Sequence, residues 1–291
     1  MYKRQVGVVV WIGINTVRKV FTMEIEANTI EFLTRIRQKA PLIHNITNFV
    51  VMNSSANILL AIGASPVMAH CRAEVEEMTS MASALVLNIG TIQEDWLESM
   101  ICAAKTANSI GIPVILDPVG AGATRLRTEA VKKIMENCSI SVLRGNCSEI
   151  LSLGSSDIKT KGVDTSLSLS DRTVDAARQM AIDKKCIIAI SGEEDCITDG
   201  NQVFRVSNGQ PVMTRVTGIG CGLSAVTAAF CAVADNNLTL ATAAAFGYYG
   251  LCADLAVKTS DKPGSLEVAF IDQLYSTGSE EIEGQLKIEE V

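Results

Sequence analysis

The sequence predicts an α/β fold, one domain built on an open, mostly parallel sheet with helices on both faces. Two observations carry that prediction. Four short runs (84–87, 114–116, 140–143 and 187–190) are rich in β-branched or aliphatic residues, with Ser141 their one polar member, as parallel strands buried on both faces should be. Helical stretches (96–109, 128–137 and 173–183) separate them, and strand–helix alternation of this kind builds a parallel sheet. Composition agrees. Apolar residues make up 48% of the 291-residue chain, enough for a large core, while aromatics at 4% point to tight packing of small side chains.

The elements follow in order. Ile30, Leu33 and Ile36 recur three apart, an amphipathic helix over 29–39 that Pro41 ends. Residues 42–48 are a short apolar segment finishing in polar amides. A helix over 50–62 is capped by Gly63, and 65–68 is a short strand. The four aliphatic runs end near Asn88, Asp117, Arg144 and Ser191. Ligands of open α/β sheets bind beyond the carboxyl ends of the strands, so these four residues are expected to line one cleft. Asp199-Gly200 and Asn208-Gly209 are turn dipeptides and place a hairpin around 202–206 at one sheet edge.

The domain is expected to span 26–277, with no linker or internal repeat dividing it. Residues 1–25 are read as an extension outside the fold. Their apolar run, 6–14, is too short to span a bilayer, and Met23 would serve as a second start. Residues 278–291 are acidic and polar and are expected to fray.

Charge and cysteine usage exclude several functions. The net charge is −7 with no basic run, so nucleic acid is not an expected partner. None of the nine cysteines forms a Cys-x-x-Cys pair, which argues against structural zinc and for reduced thiols in a cytoplasmic protein. No membrane association is expected.

The whole pattern leads to Val216-Thr217-Gly218-Ile219-Gly220-Cys221-Gly222-Leu223-Ser224. Three alternate glycines precede a small-residue run, 225–234, that reads as a helix. Such a start is either an anion site, made by free amides and the helix dipole, or a tight turn before a packed helix. A thiol at a helix N-terminus is expected to have a lowered pKa. Asn146-Cys147-Ser148-Glu149 follows the Arg144 strand directly. Glu149 is either a Mg²⁺ ligand, direct or through water, or a first-turn carboxylate favoured by the dipole. Asp117 is a second metal candidate, or a turn-initiating residue before Pro118. Arg144 is a phosphate ligand, or an ion-pair partner of Asp117 or Glu149. No Walker-type loop and no dinucleotide fingerprint is present. His44 and His70 lack metal-ligand spacing: His70 reads as a surface or packing residue, and His44 either orients the loop near Asn48 or packs in the core.

Six linked motifs carry a resemblance. Residues 42–48 (LIHNITN), 63–69 (GASPVMA), 88–91 (NIGT), 117–123 (DPVGAGA), 144–149 (RGNCSE) and 216–221 (VTGIGC) together resemble the hydroxyethylthiazole kinase family of the ribokinase-like superfamily. The resemblance runs from about residue 29 to about residue 275. It implies a three-layer αβα fold and a homotrimer with sites between subunits. It also implies Mg²⁺-dependent transfer of phosphate from ATP to the primary alcohol of 5-(2-hydroxyethyl)-4-methylthiazole, in thiamine biosynthesis or salvage. Carried over by position, Asn48, Met68 and Gly218 would contact the thiazole alcohol, and Arg144, Ser191 and Gly220 the ATP. Asp117 and Glu149 would serve the metal, and Cys221 would be the catalytic residue where other ribokinase-like kinases carry Asp. The sequence departs from the family pattern at Ile219, bulkier than the usual Thr or Ala, at Ser191 in place of Thr, and at Cys147 in place of Ala. The alternatives are a ribokinase-like lyase that repairs hydrated nicotinamide cofactors, which would normally keep Asp at position 221, and a non-catalytic nucleotide-binding protein.

Overall fold

The computed structural model describes residues 23–154 and 170–291. Helix α1 covers 23–39, and the chain then alternates through β1 (Leu42–Ile46), α2 (Met52–Ile62), β2 (Ser65–Val67), α3 (Val75–Met81), β3 (Ala84–Asn88), α4 (Glu94–Ile110) and β4 (Val114–Asp117). It continues through α5 (Arg125–Asn137), β5 (Val142–Asn146), α6 (Cys147–Ser152), α7 (Asp171–Lys184), β6 (Ile187–Ser191), β7 (Asp195–Thr198) and β8 (Val203–Val206). A 3₁₀ turn (Pro211–Arg215) leads into α8 (Ile219–Cys231), α9 (Leu238–Ala256), α10 (Pro263–Ser276), α11 (Ser279–Ile282) and β9 (Ile288–Glu290).

These strands form a single nine-stranded sheet in the order β2-β1-β3-β4-β5-β6-β7-β8-β9. Pairing is parallel from β2 to β6 and antiparallel from β6 to β9. The aliphatic runs serve both faces because successive strand side chains point to opposite sides. In β3, Ala84 and Val86 face one core with α1, α2, α8, α9 and α10. Leu85 and Leu87 face the other, with α3, α4, α5 and α7. The result is the three-layer αβα arrangement. Helix α9 is buried along nearly its whole length and apolar on every side, so it has no amphipathic stripe for the sequence to show. Among the described residues, no helix is long and apolar enough to cross a membrane.

Three boundaries differ from expectation. Helix α1 starts six residues before Thr29, and Ile25 is buried in the core, so the last residues of the proposed extension belong to the fold. The rest of that extension, 1–22, lies outside the described residues. Strand β5 runs to Asn146 rather than ending at Leu143, because Arg144, Gly145 and Asn146 stay in register with Ala189, Ile190 and Ser191 of β6. The tail expected to fray packs instead. Ile282, Leu286 and Ile288 are buried, and β9 pairs with the otherwise open edge of β8. Acidic residues obscure that spacing of three apolar side chains in the sequence.

Candidate active site

The ends of β3, β4, β5 and β6 meet the start of α8, and the four polar residues expected at a common cleft form one chain of contacts there. Asn88 and Asp117 are register partners, and Asn88 Nδ2 donates to Asp117 Oδ2 at 2.8 Å. Arg144 Nη1 lies 3.8 Å from the same oxygen, while Arg144 Nη2 donates to Ser191 Oγ at 2.9 Å. From α8, Ser224 Oγ also donates to Asp117 Oδ2, at 2.8 Å. Ser224 lies in the glycine-loop stretch but was assigned no role from sequence. Its spacing after Cys221, one turn along a helix, was the available signal.

The thiol side of the site is built from the loop after β1. Asn48 Nδ2 donates to Asn88 Oδ1 at 2.9 Å and stands 3.5 Å from Cys221 Sγ. Gly90 makes this approach feasible, since a Cβ there would lie 2.6 Å from the same amide nitrogen.

Helix α8 begins as an anion site requires. Its N-cap, Gly218, is left-handed at φ +86, a conformation that glycine adopts without strain. The amides of Ile219, Gly220 and Cys221 head the helix and have no acceptor within it. Tyr249 Oη donates to the Ile219 carbonyl at 2.8 Å and fixes that first turn. A Cβ on Gly220 would stand 3.2 Å from Arg144 Nη1, so this glycine is what lets the guanidinium close on the helix start.

Electrostatics follow from burial. Asp117 is 1% exposed, and burial raises its pKa to about 6 against the pull of Arg144. Cys221 is pushed up to about 11, by burial first and then by the charge of Asp117. The lowered thiol pKa expected from the helix dipole is therefore overturned, because desolvation and a neighbouring carboxylate outweigh it. Arg144 keeps one donor, Nε, buried without a partner. An arriving anion would relieve that cost, and the donor set suits a nucleotide phosphate.

The metal candidates are more constrained. Asn146 and Glu149 form a capping box on α6, with Glu149 Oε2 accepting from Asn146 N at 2.9 Å. Its other oxygen accepts from Gly120 N at 2.8 Å. One oxygen of Asp117 is likewise engaged. Among the described residues, no group of three or more His, Cys, Asp or Glu side chains could hold a metal alone. Asp117 and Glu149 thus fit a Mg²⁺ that keeps most of its waters and takes its other ligands from phosphate.

Met68 stands apart. It follows edge strand β2 at the same end of the sheet and joins none of these hydrogen bonds. His44 serves that segment rather than the Asn48 loop. It is fully buried, and its Nε2 meets the Ala69 carbonyl at 2.6 Å and its Nδ1 meets Thr79 Oγ1 at 2.9 Å. His70 packs on Trp96, 4.4 Å between ring centroids, and Phe49 packs on the same indole at 4.7 Å. This is the packing role expected of His70, now placed on a named partner.

The family model and the relatives at 41% identity or more give one family. Residues 33–280 match the model of the hydroxyethylthiazole kinase family. A hydroxyethylthiazole kinase of Desulfotalea psychrophila is 50% identical over 260 residues, covering 89% of this chain and 94% of that protein. Another, of Syntrophus aciditrophicus, is 49% identical over 262 residues, covering 90% and 96%. The solved hydroxyethylthiazole kinase of Pyrococcus horikoshii superposes with a TM-score of 0.83 at 41% identity, covering 90% of this chain and 98% of that one. A pyridoxal kinase of Staphylococcus aureus solved with ADP shares only the fold, with a TM-score of 0.54 at 15% identity. This chain belongs to the hydroxyethylthiazole kinase family.

Proposed function

We propose that the protein transfers the terminal phosphoryl group of ATP to the primary alcohol of 5-(2-hydroxyethyl)-4-methylthiazole, in thiamine biosynthesis or salvage. The observation that carries this reading is the meeting of the α8 amides, Arg144 and the Cys221 thiol beside the Asn48 amide. Phosphoryl transfer depends mainly on positioning and charge stabilisation, and this arrangement supplies both. The amides of Ile219 to Cys221 receive charge growing on the transferred group. Arg144, held by Ser191 and facing Gly220, binds the nucleotide phosphates. Magnesium, held through water by Asp117 and Glu149, would neutralise the triphosphate when bound.

Burial and the neighbouring Asp117 push the Cys221 thiol up to about 11, which favours orienting the alcohol over removing its proton. Asn48 holds the thiol from one side, and Gly218 lies by the substrate alcohol. Met68 and the residues beyond β2 contact the ring. The protein assembles as a homotrimer with sites completed between subunits, which gives Met68, outside the hydrogen-bonded network, a place in the reaction. It works in the cytoplasm.

The test is formation of phosphorylated thiazole coupled to ATP consumption, with thiazole and pyrimidine alcohols compared side by side. Phosphorylation of the thiazole alcohol at the higher kcat/KM supports the proposal. ATP use with no phosphorylated alcohol, or turnover of hydrated nicotinamide cofactor instead, would overturn it. Light scattering of the active species tests the trimer, which a fully active monomer would refute.

A further inference from the structure

Two loops make the two halves of the site, and one side chain outside the site holds both. The loop after β3 carries Gly90, whose N–H donates to Asn88 Oδ1 at 2.9 Å, the same oxygen that receives the Asn48 amide. This loop therefore sets the thiol side. The loop after β4 carries Gly120, whose N–H holds Glu149 Oε1 at 2.8 Å. That loop sets the metal side. Arg127, in the first turn of α5, reaches both. Its Nη2 donates to the Gly90 carbonyl at 2.5 Å, and its Nη1 donates to the Val119 carbonyl at 2.6 Å and the Ile89 carbonyl at 3.3 Å. A Cβ on Gly120 would lie 2.9 Å from Arg127 Cδ, so that glycine is needed for the guanidinium to pass. Gly122 N–H, donating to Thr128 Oγ1 at 2.9 Å, ties the same loop to α5 a second time.

Among the described residues, carbonyls alone receive this guanidinium. Among the described residues Arg127 makes no ion pair, so its charge is not cancelled within its own contacts. Only a planar fork with several fixed donors can serve three carbonyls on two loops; an ammonium on a flexible stem cannot.

We infer that Arg127 is a positioning residue for phosphoryl transfer, fixing the Asn48–Cys221 side of the site against the Glu149 side. This rests on the kinase reading above for its kinetic consequence and on geometry alone for its structural one.

The experiment compares wild type with R127K and R127M. Steady-state kinetics are measured over a range of Mg²⁺ concentrations, and amide hydrogen exchange is followed at Gly90 and Gly120. A displacement on the order of an ångström costs about 10²-fold in rate, and a loss of that size in kcat is expected for R127M. KM for the alcohol should change less than kcat, because Arg127 contacts only the carbonyls of Ile89, Gly90 and Val119, none of which is assigned to the alcohol. The Mg²⁺ concentration for half-maximal rate should rise as Glu149 loses its partner loop. R127K, with the charge but not the fork, should recover little. Exchange should speed up at Gly90 and Gly120 together while core amides stay protected. Wild-type kcat and Mg²⁺ dependence in R127M would overturn the inference, as would full rescue by R127K or a uniform loss of protection across the core. If R127M does not fold, R127K and R127Q carry the same readouts. A wild-type protein that phosphorylates no alcohol defeats the kinase reading, and the exchange pattern then decides this one by itself.

Discussion

Replacing Cys221 separates orientation from proton transfer. Its thiol pKa, raised from 9.0 to about 11, has a consequence that can be measured directly. A two-unit rise cuts the thiolate fraction at pH 8 about 100-fold, while the more basic thiolate gains roughly tenfold in intrinsic reactivity. Alkylation by iodoacetamide should therefore run about tenfold slower than at an ordinary exposed thiol, before access is counted. It should rise with pH up to about 11, and ATP with the thiazole alcohol should protect. In turnover, Cys221→Ala removes an orienting group and should cost less than the roughly 10²–10⁴-fold expected from loss of a general base. Cys221→Asp places a second carboxylate near Asp117, which raises the pKa of one of the pair and makes it a better proton acceptor. Its turnover should match or exceed wild type above that pKa, at some expense in thermal stability. The assays are stopped alkylation by mass spectrometry and initial rates from pH 6 to 9. A thiol that alkylates faster than free cysteine at pH 7, with Cys221→Ala down more than about 10²-fold, would refute a neutral orienting thiol. An inactive Cys221→Asp with ping-pong kinetics would point instead to a covalent intermediate.

Other perturbations test the frame around it. Gly218→Ala forces a left-handed residue and drives a Cβ to 2.9 Å from Val51 Cγ1, so it should cost about 1–2 kcal/mol by denaturant unfolding and lower turnover sharply. Glu149→Gln puts amide hydrogens against one of the two N–H donors it now accepts from. It should lose about 1–3 kcal/mol of stability and raise the Mg²⁺ requirement; an unchanged Mg²⁺ dependence with lowered stability would leave Glu149 only its capping role. Deleting residues 284–291 strips β9 from the edge of β8 and should lower the melting temperature, whereas a truly frayed tail would leave it unchanged. Burial lowers the His44 pKa below 6.5, so the native state resists its protonation. Stability should be full above pH 6.5 and fall as pH drops below it, and His44→Gln should flatten that part of the profile.

Much of the site was legible because strand ends are fixed by local pattern. Runs such as 84–87 and 114–116 are apolar on both faces and stop at Asn88 and Asp117, so parallel pairing had to bring those residues to one edge. The glycines of 218–222 announced a helix start that could admit an anion. Family membership could likewise be read from six short motifs in order. Protonation states were not legible. The helix start favours a thiolate at Cys221, but burial and Asp117, more than a hundred residues away in the chain, reverse the sign. Glu149 illustrates the same limit, since only the folded chain shows Gly120 and Asn146 occupying both of its oxygens. Arg127 left no local mark, because its three acceptors lie on two loops that meet only after the sheet forms. The C-terminal strand was hidden by its acidic neighbours. Periodicity and turn chemistry are local and survive in the sequence, whereas desolvation, charge pairing and shared hydrogen bonds depend on neighbours that only the tertiary fold supplies.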